Sequence, residues 1–234
     1  MLEKIKDPHY QQYSPIVIGF AATGFSLIGS VMLAYKSLDI SPLLYLLGGF
    51  TLIGIALQLL SNRVILIRIY QLMAMTMIVV VYLIGGVLFL IDNQPLCVKW
   101  LLPGMLIIIT FGRGIFAFFR TRRIYTATMP HGPLGVLNSK TGVVDPTKSP
   151  PKLQRQLDKQ AGKTNLVWRL IPLTSGLALA FVRGLSESGG ELIMTIIAIV
   201  VVIGISGSVG SILAYIESTW RWEREHGKHI IVKR

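Results

Sequence analysis

The sequence predicts an all-α integral membrane protein, with six transmembrane helices in three antiparallel hairpins and a basic cytoplasmic loop between helices 4 and 5. Three observations predict it. Of 234 residues, 52% are hydrophobic and only 15% charged, where a soluble domain carries roughly 25% charge. The mean hydropathy of +0.61 is concentrated in blocks of membrane-spanning length. The 23 Lys and Arg, against 11 Asp and Glu, cluster in segments that a six-span path collects on one side. Such a chain is not disordered, and it is not built like most soluble enzymes. Its single Cys97 cannot form an intrachain disulfide.

A hydrocarbon core of about 30 Å needs about 20 apolar residues as helix, because no water is present there to satisfy free backbone groups. Residues 15–35, 42–60, 70–91, 100–119 and 191–216 meet that length. A further stretch, 166–185, is weaker, since its uncharged part covers only 170–182 and Arg169 and Arg183 close it. Long arginine side chains reach outward and extend the usable length. Taken alone, the stretch reads as crossing, interfacial or re-entrant.

Charge bias decides among these, because Lys and Arg in short loops stay on the cytoplasmic side. With six spans, Lys4, Lys6, Arg63, Arg68, the ten basic residues from Arg120 to Arg169 and the five from Arg221 to Arg234 share one side. Only Lys36, Lys99 and Arg183 face the other. Both termini are therefore expected in the cytoplasm, of a bacterial inner membrane or an organellar equivalent. No small-residue cleavage site follows the first span, so that span is expected to remain as an anchor.

The chain divides accordingly into helices 1–4 (1–119), a loop (120–165), helices 5–6 (166–217) and a basic tail (218–234). The outer loops 36–41, 92–99 and 186–190 are short, which implies tight helical hairpins. Within the loop, Val136-Leu137 and Val143-Val144 flank a turn-rich 138–142 and suggest a small β-hairpin. Ser149 before two prolines suggests a short basic helix that ends near Gly162. Internal repetition is faint, limited to an Asp and an early Pro at matching points of two hairpins.

Few residues carry chemistry inside the spans. Arg113, flanked by Gly112 and Gly114, is the one full charge, and Gln58 is the other strongly polar side chain. An intramembrane charge costs at least about 2.5–3.5 kcal/mol at the bilayer centre, which marks Arg113 as a candidate polar site. It lies seven residues before Arg120, about 10 Å along a helix, so snorkelling also accounts for it. Arg169, Gly176 and Arg183 form one stripe of helix 5 and read as basic anchors. Gly204, Gly207, Gly210 and Ser211 are spaced for close helix packing, which takes over where lipid removes the hydrophobic drive between helices.

Proton or sodium coupling needs a buried carboxylate or histidine, and the spans hold none apart from Glu191 at a boundary. His226 and His229 are three apart but have no suitable third ligand, so no metal is expected. The 135–141 stretch lacks the glycines of a phosphate-binding loop, and no hydrolase motif is present. No catalytic residue and no cofactor are expected.

The basic inner surface is the remaining signal. Arg120, Arg122, Arg123, Lys148, Lys152, Arg155, Lys159, Lys163, Arg221 and Arg224 are candidates for binding a partner or anionic lipid headgroups. The nearby aromatics are explained by the interface, which disfavours nucleic acid. The expected function is a non-enzymatic structural, accessory or assembly subunit of a larger membrane complex. Its partners would be other membrane-protein subunits and anionic lipid headgroups, and a homo-oligomer is compatible with this. The alternative is a channel or uncoupled transporter for an anion or amphiphile, using Arg113 and the small-residue helix faces.

Overall fold

The computed structural model describes residues 14–35, 38–92, 100–128, 136–138, 140–145 and 187–232. The expected fifth span at 166–185 and the short basic helix at 149–162 lie outside the described residues. So do Lys148, Lys152, Arg155, Lys159 and Lys163.

Among the described residues the chain is mostly helical. In order it forms α1 (Pro15–Tyr35), α2 (Ser41–Leu60), α3 (Val64–Asp92), α4 (Leu101–Thr128), β1 (Val136–Asn138), β2 (Val143–Asp145), α5 (Glu187–His226) and β3 (Ile231–Val232). Helix α5 corresponds to the sixth expected span. Four helices are long and apolar enough to cross a membrane, over Ser41–Leu60, Val64–Leu88, Pro103–Arg123 and Thr195–His226, and α1 adds the shorter apolar stretch Pro15–Ser30. Their outward surfaces are apolar: Tyr45, Leu60, Ile108, Phe111 and Phe116 are all exposed. Water tolerates few contiguous surfaces of that kind, so these helices are compatible with insertion in lipid.

Three helices run past the predicted span ends. No glycine or proline interrupts 61–70, so α3 begins at Val64 and takes Arg68 into the helix. Helix α4 carries Arg120, Arg122 and Arg123 with it to Thr128. Helix α5 continues through Arg221 and Arg224 to His226, where Gly227 at φ 62° ends it in the left-handed conformation that glycine adopts without a Cβ clash.

Contacts between helices fix their directions. Thr23 on α1 meets Thr51 on α2 at 2.7 Å, and Ser14 meets Gln58 at 3.3 Å, so α1 and α2 are antiparallel. Gly19 lies against Tyr70 and Gly29 against Tyr82, so α1 and α3 are parallel. Helix α5 packs extensively on both α3 and α4, which touch each other little. Gly86 of α3 approaches Ala198, and Arg68 lies over Tyr215, so α3 and α5 are antiparallel. Gly114 approaches Ser206 and Thr121 meets Ser211 at 3.0 Å, so α4 and α5 are parallel. The connection after Asp145 therefore leaves from the end of the bundle that holds the strands and enters α5 at the opposite end.

The core runs the length of the bundle. Ile18, Ile67, Tyr70, Ile78, Tyr82, Val202 and Ile205 are buried within it, and Leu137, Val144, Trp222, Ile230 and Val232 continue it into the strand end.

Candidate functional site

The three strands form one sheet in the order β1-β2-β3. β1 and β2 pair antiparallel with Leu137 opposite Val144, while β2 and β3 pair parallel with Val144 opposite Val232. The hairpin turn is closed by local bonds: Gly142 N–H donates to the Asn138 carbonyl at 2.8 Å and Lys140 N–H to Asn138 Oδ1 at 3.0 Å. Gly142 sits at φ 71°, and a side chain there would also collide with the His229 carbonyl. Leu137, Val144 and Val232 form one cross-strand row, buried in the same cluster as Trp222.

The tail strand also engages the α2–α3 turn. Val64 N–H donates to the Ile230 carbonyl at 3.0 Å and Val232 N–H to the Asn62 carbonyl at 2.9 Å, around an antiparallel bridge between Arg63 and Ile231. Ile231 N–H donates to the Gly142 carbonyl at 3.0 Å. The Glu223 carboxylate holds the approach to β3, accepting from Ile230 N–H at 2.9 Å and lying 3.3 Å from His229 Nδ1. His226 stacks on Trp222 at 4.3 Å. The two histidines thus have separate partners. The α2–α3 turn, the hairpin and the tail are one hydrogen-bonded clasp.

A polar layer lies beneath it. Glu217 Oε1 accepts from Arg122 at 3.1 Å and from Arg221 at 2.7 Å, joining α4 to α5. Glu217 Oε2 is buried. Arg68, only 3% exposed, bonds to Gln71 and lies 4.4 Å from the centroid of the Tyr215 ring. A cation over an aromatic face gains most when desolvated, about 2 kcal/mol or more.

No family model, curated protein or solved structure matches this chain.

The residues singled out from sequence fall into three groups. Gln58 and Arg113 do not form one site: Gln58 is buried and accepts from Ser14, the residue before α1, whereas Arg113 is exposed on α4 with Nε beside Gly207 of α5. Gly207, Gly210 and Ser211 lie in the α4/α5 contact, and Gly204 is half-buried on the same helix. Of the basic residues, Arg122 and Arg221 are joined to Glu217, Arg224 lies 5.6 Å over the Trp220 ring, and Arg120 and Arg123 are exposed.

Two polar residues at the strand end escaped the sequence reading. Glu217 stands one residue beyond the expected span, where its i,i+4 spacing to Arg221 was the available signal. Arg68 is assigned to a loop by a span that starts at Tyr70, although an unbroken helical run and Gln71 three residues later placed it on a helix.

Proposed function

We propose that this chain is a polytopic membrane protein with six crossing helices and both termini on one side. In this reading it is a non-enzymatic structural, accessory or assembly subunit of a larger membrane complex, in a bacterial inner membrane or an organellar equivalent. Its basic inner loop and tail dock a partner subunit.

The clasp carries this proposal. A tail bonded to both the hairpin and the α2–α3 turn supports a single rigid inner surface in which the cationic segments lie together. The parallel arrangement of α4 and α5 supports a further crossing between them, since the connection that carries the apolar 166–185 stretch must change ends. The polar side chains between helices are used in packing: Ser14 with Gln58, Thr23 with Thr51, and Tyr70 with the Phe50 carbonyl at 2.9 Å. That use favours a scaffold over a conducting path.

Isolation of the full chain in mild detergent tests the proposal. A partner is expected to co-purify, and to be lost when Arg120, Arg123 and Arg224 are neutralised together. Recovery as a lone monomer, with behaviour unchanged by neutralisation, or ion flux in liposomes abolished by Arg113→Ala, overturns it.

A further inference from the structure

Arg113 projects from a helix whose surroundings are apolar. On α4 it shares a stripe with Ile109, Phe116 and Arg120, all exposed, as their spacing at 3.6 residues per turn requires. Its Nε lies 3.6 Å from where a Cβ on Gly207 would be, and the Ala117 methyl lies 3.9 Å from the same point. The guanidinium thus rests at the edge of the α4/α5 contact and is not enclosed by it. No hydrogen bond or ion pair to Arg113 is present among the described residues.

Among the described residues no acid is placed to neutralise it. None of the chain's 11 acidic residues falls in 166–185 or elsewhere in the apolar stretches except Glu191 at a span boundary, and Glu217, ten residues beyond Gly207 on α5, already serves Arg122 and Arg221. A guanidinium exposed among apolar side chains is stabilised by a charged acceptor, and none of the described residues supplies one. Its planar fork of donors suits phosphate.

We propose that Arg113 and Arg120 bind the phosphate of an anionic phospholipid, drawn into the edge of the α4/α5 contact with its acyl chains along Ile109 and Phe116. The two arginines sit about 10 Å apart along the helix axis, and both side chains are long enough to incline toward a common headgroup. The Arg113 side chain lies within ordinary van der Waals reach of Gly207, which seats it against α5. The site goes beyond the docking of a partner subunit and rests only on the membrane-spanning part of that reading, since it requires α4 to cross the bilayer.

Native mass spectrometry of the full-length chain in detergent, titrated with phosphatidylglycerol, phosphatidylcholine or inorganic phosphate, tests it. Phosphatidylglycerol is expected to be retained in preference to phosphatidylcholine. Arg113→Gln or Arg120→Gln alone should each lower its occupancy constant about fivefold, the factor matching ~1 kcal/mol per near-surface basic residue. Arg113→Lys should retain most of it. Equal retention of the two lipids by the unaltered chain, no change in either glutamine variant, or equal competition by inorganic phosphate overturns the site. The unaltered chain's lipid preference keeps the test decisive even where a variant does not fold. Release of the chain from membranes at alkaline pH would instead overturn the crossing of α4, whereas failure of any protein to co-purify in the mild-detergent isolation, with the lipid preference retained, would overturn the docking reading alone.

Discussion

The carbonyl oxygen of Gly114 on α4 lies where a Cβ on Gly210 of α5 would have to be. The Phe118 amide nitrogen is 3.0 Å from that same point, so backbone closes the space on two sides. Neither helix can yield by turning a side chain. This contact sets the separation of α4 and α5, and with it the reach of Arg122 to Glu217.

Gly210→Ala is therefore expected to destabilise the bundle by about 1–3 kcal/mol, the usual cost of overpacking. Gly24→Ala, where nothing lies within 4 Å, should be neutral or gain up to about 1 kcal/mol of helix propensity. Thermal unfolding in detergent compares them, and similar responses would contradict the packing described.

Tyr70 places its hydroxyl between Gly19 and Gly54 and stacks on Phe50 at 4.3 Å. Tyr70→Phe removes one donor while the Phe50 carbonyl keeps its place in the helix, so the cost should be about 0.6–1.5 kcal/mol. Gly54→Ala, which forces the whole ring aside, should cost more. Denaturant titrations that ranked the two the other way would refute the wedge.

Arg122 and Arg221 are 42% and 44% exposed where they meet Glu217. Each pair should couple by less than about 1 kcal/mol in a double-mutant cycle, because solvent screens it. Glu217→Ala should exceed either arginine substitution, since it leaves two guanidiniums facing each other. A coupling above about 2 kcal/mol would mean that the layer is dry.

The parallel register of β2 and β3 pairs Val143 with Ile231. In a Cys97→Ser background, Val143→Cys with Ile231→Cys should cross-link on mild oxidation, because neighbouring strands place Cα atoms within disulfide range. Leu38→Cys with Ile231→Cys, at opposite ends of the bundle, should not. Mobility on a non-reducing gel reads the outcome, and a reversed result would separate the tail from the hairpin.

Ser41 N–H donates to Asp39 Oδ1 at 2.9 Å, and the Ser41 side chain adds to it, which together hold the Asp39 carboxyl below the usual carboxylate range. A depressed folded-state value contributes stability above the unfolded pKa and loses it as pH falls through the folded one. Asp39→Asn should thus lower the melting temperature slightly at neutral pH, with the difference vanishing in acid. A difference that grew on acidification would reverse the assignment.

The long apolar helices were legible because the bilayer length is a one-dimensional constraint, readable from 42–60 or 191–216 without reference to any neighbour. Helix ends were less so. Nothing local stops α3 before Val64 or α4 before Thr128, and a span read only for hydropathy ends where charge begins, whereas a helix ends where its backbone bonds do. The partition of the basic residues was legible only in part, since Arg120 and Arg122 are two residues apart yet one is exposed and the other reaches Glu217.

By itself the sequence determined the apolar helices and the surplus of positive charge, because both are sums over consecutive residues. The tertiary structure decided that Arg68 lies buried against the face of the Tyr215 ring, that Arg122 crosses to Glu217, and that Ile231 binds strands and turn into one clasp. Those outcomes join residues 88 to 168 positions apart in the chain, as in Val143 with Ile231 and Arg63 with Ile231. Such contacts depend on helix direction and backbone approach, which no local pattern encodes.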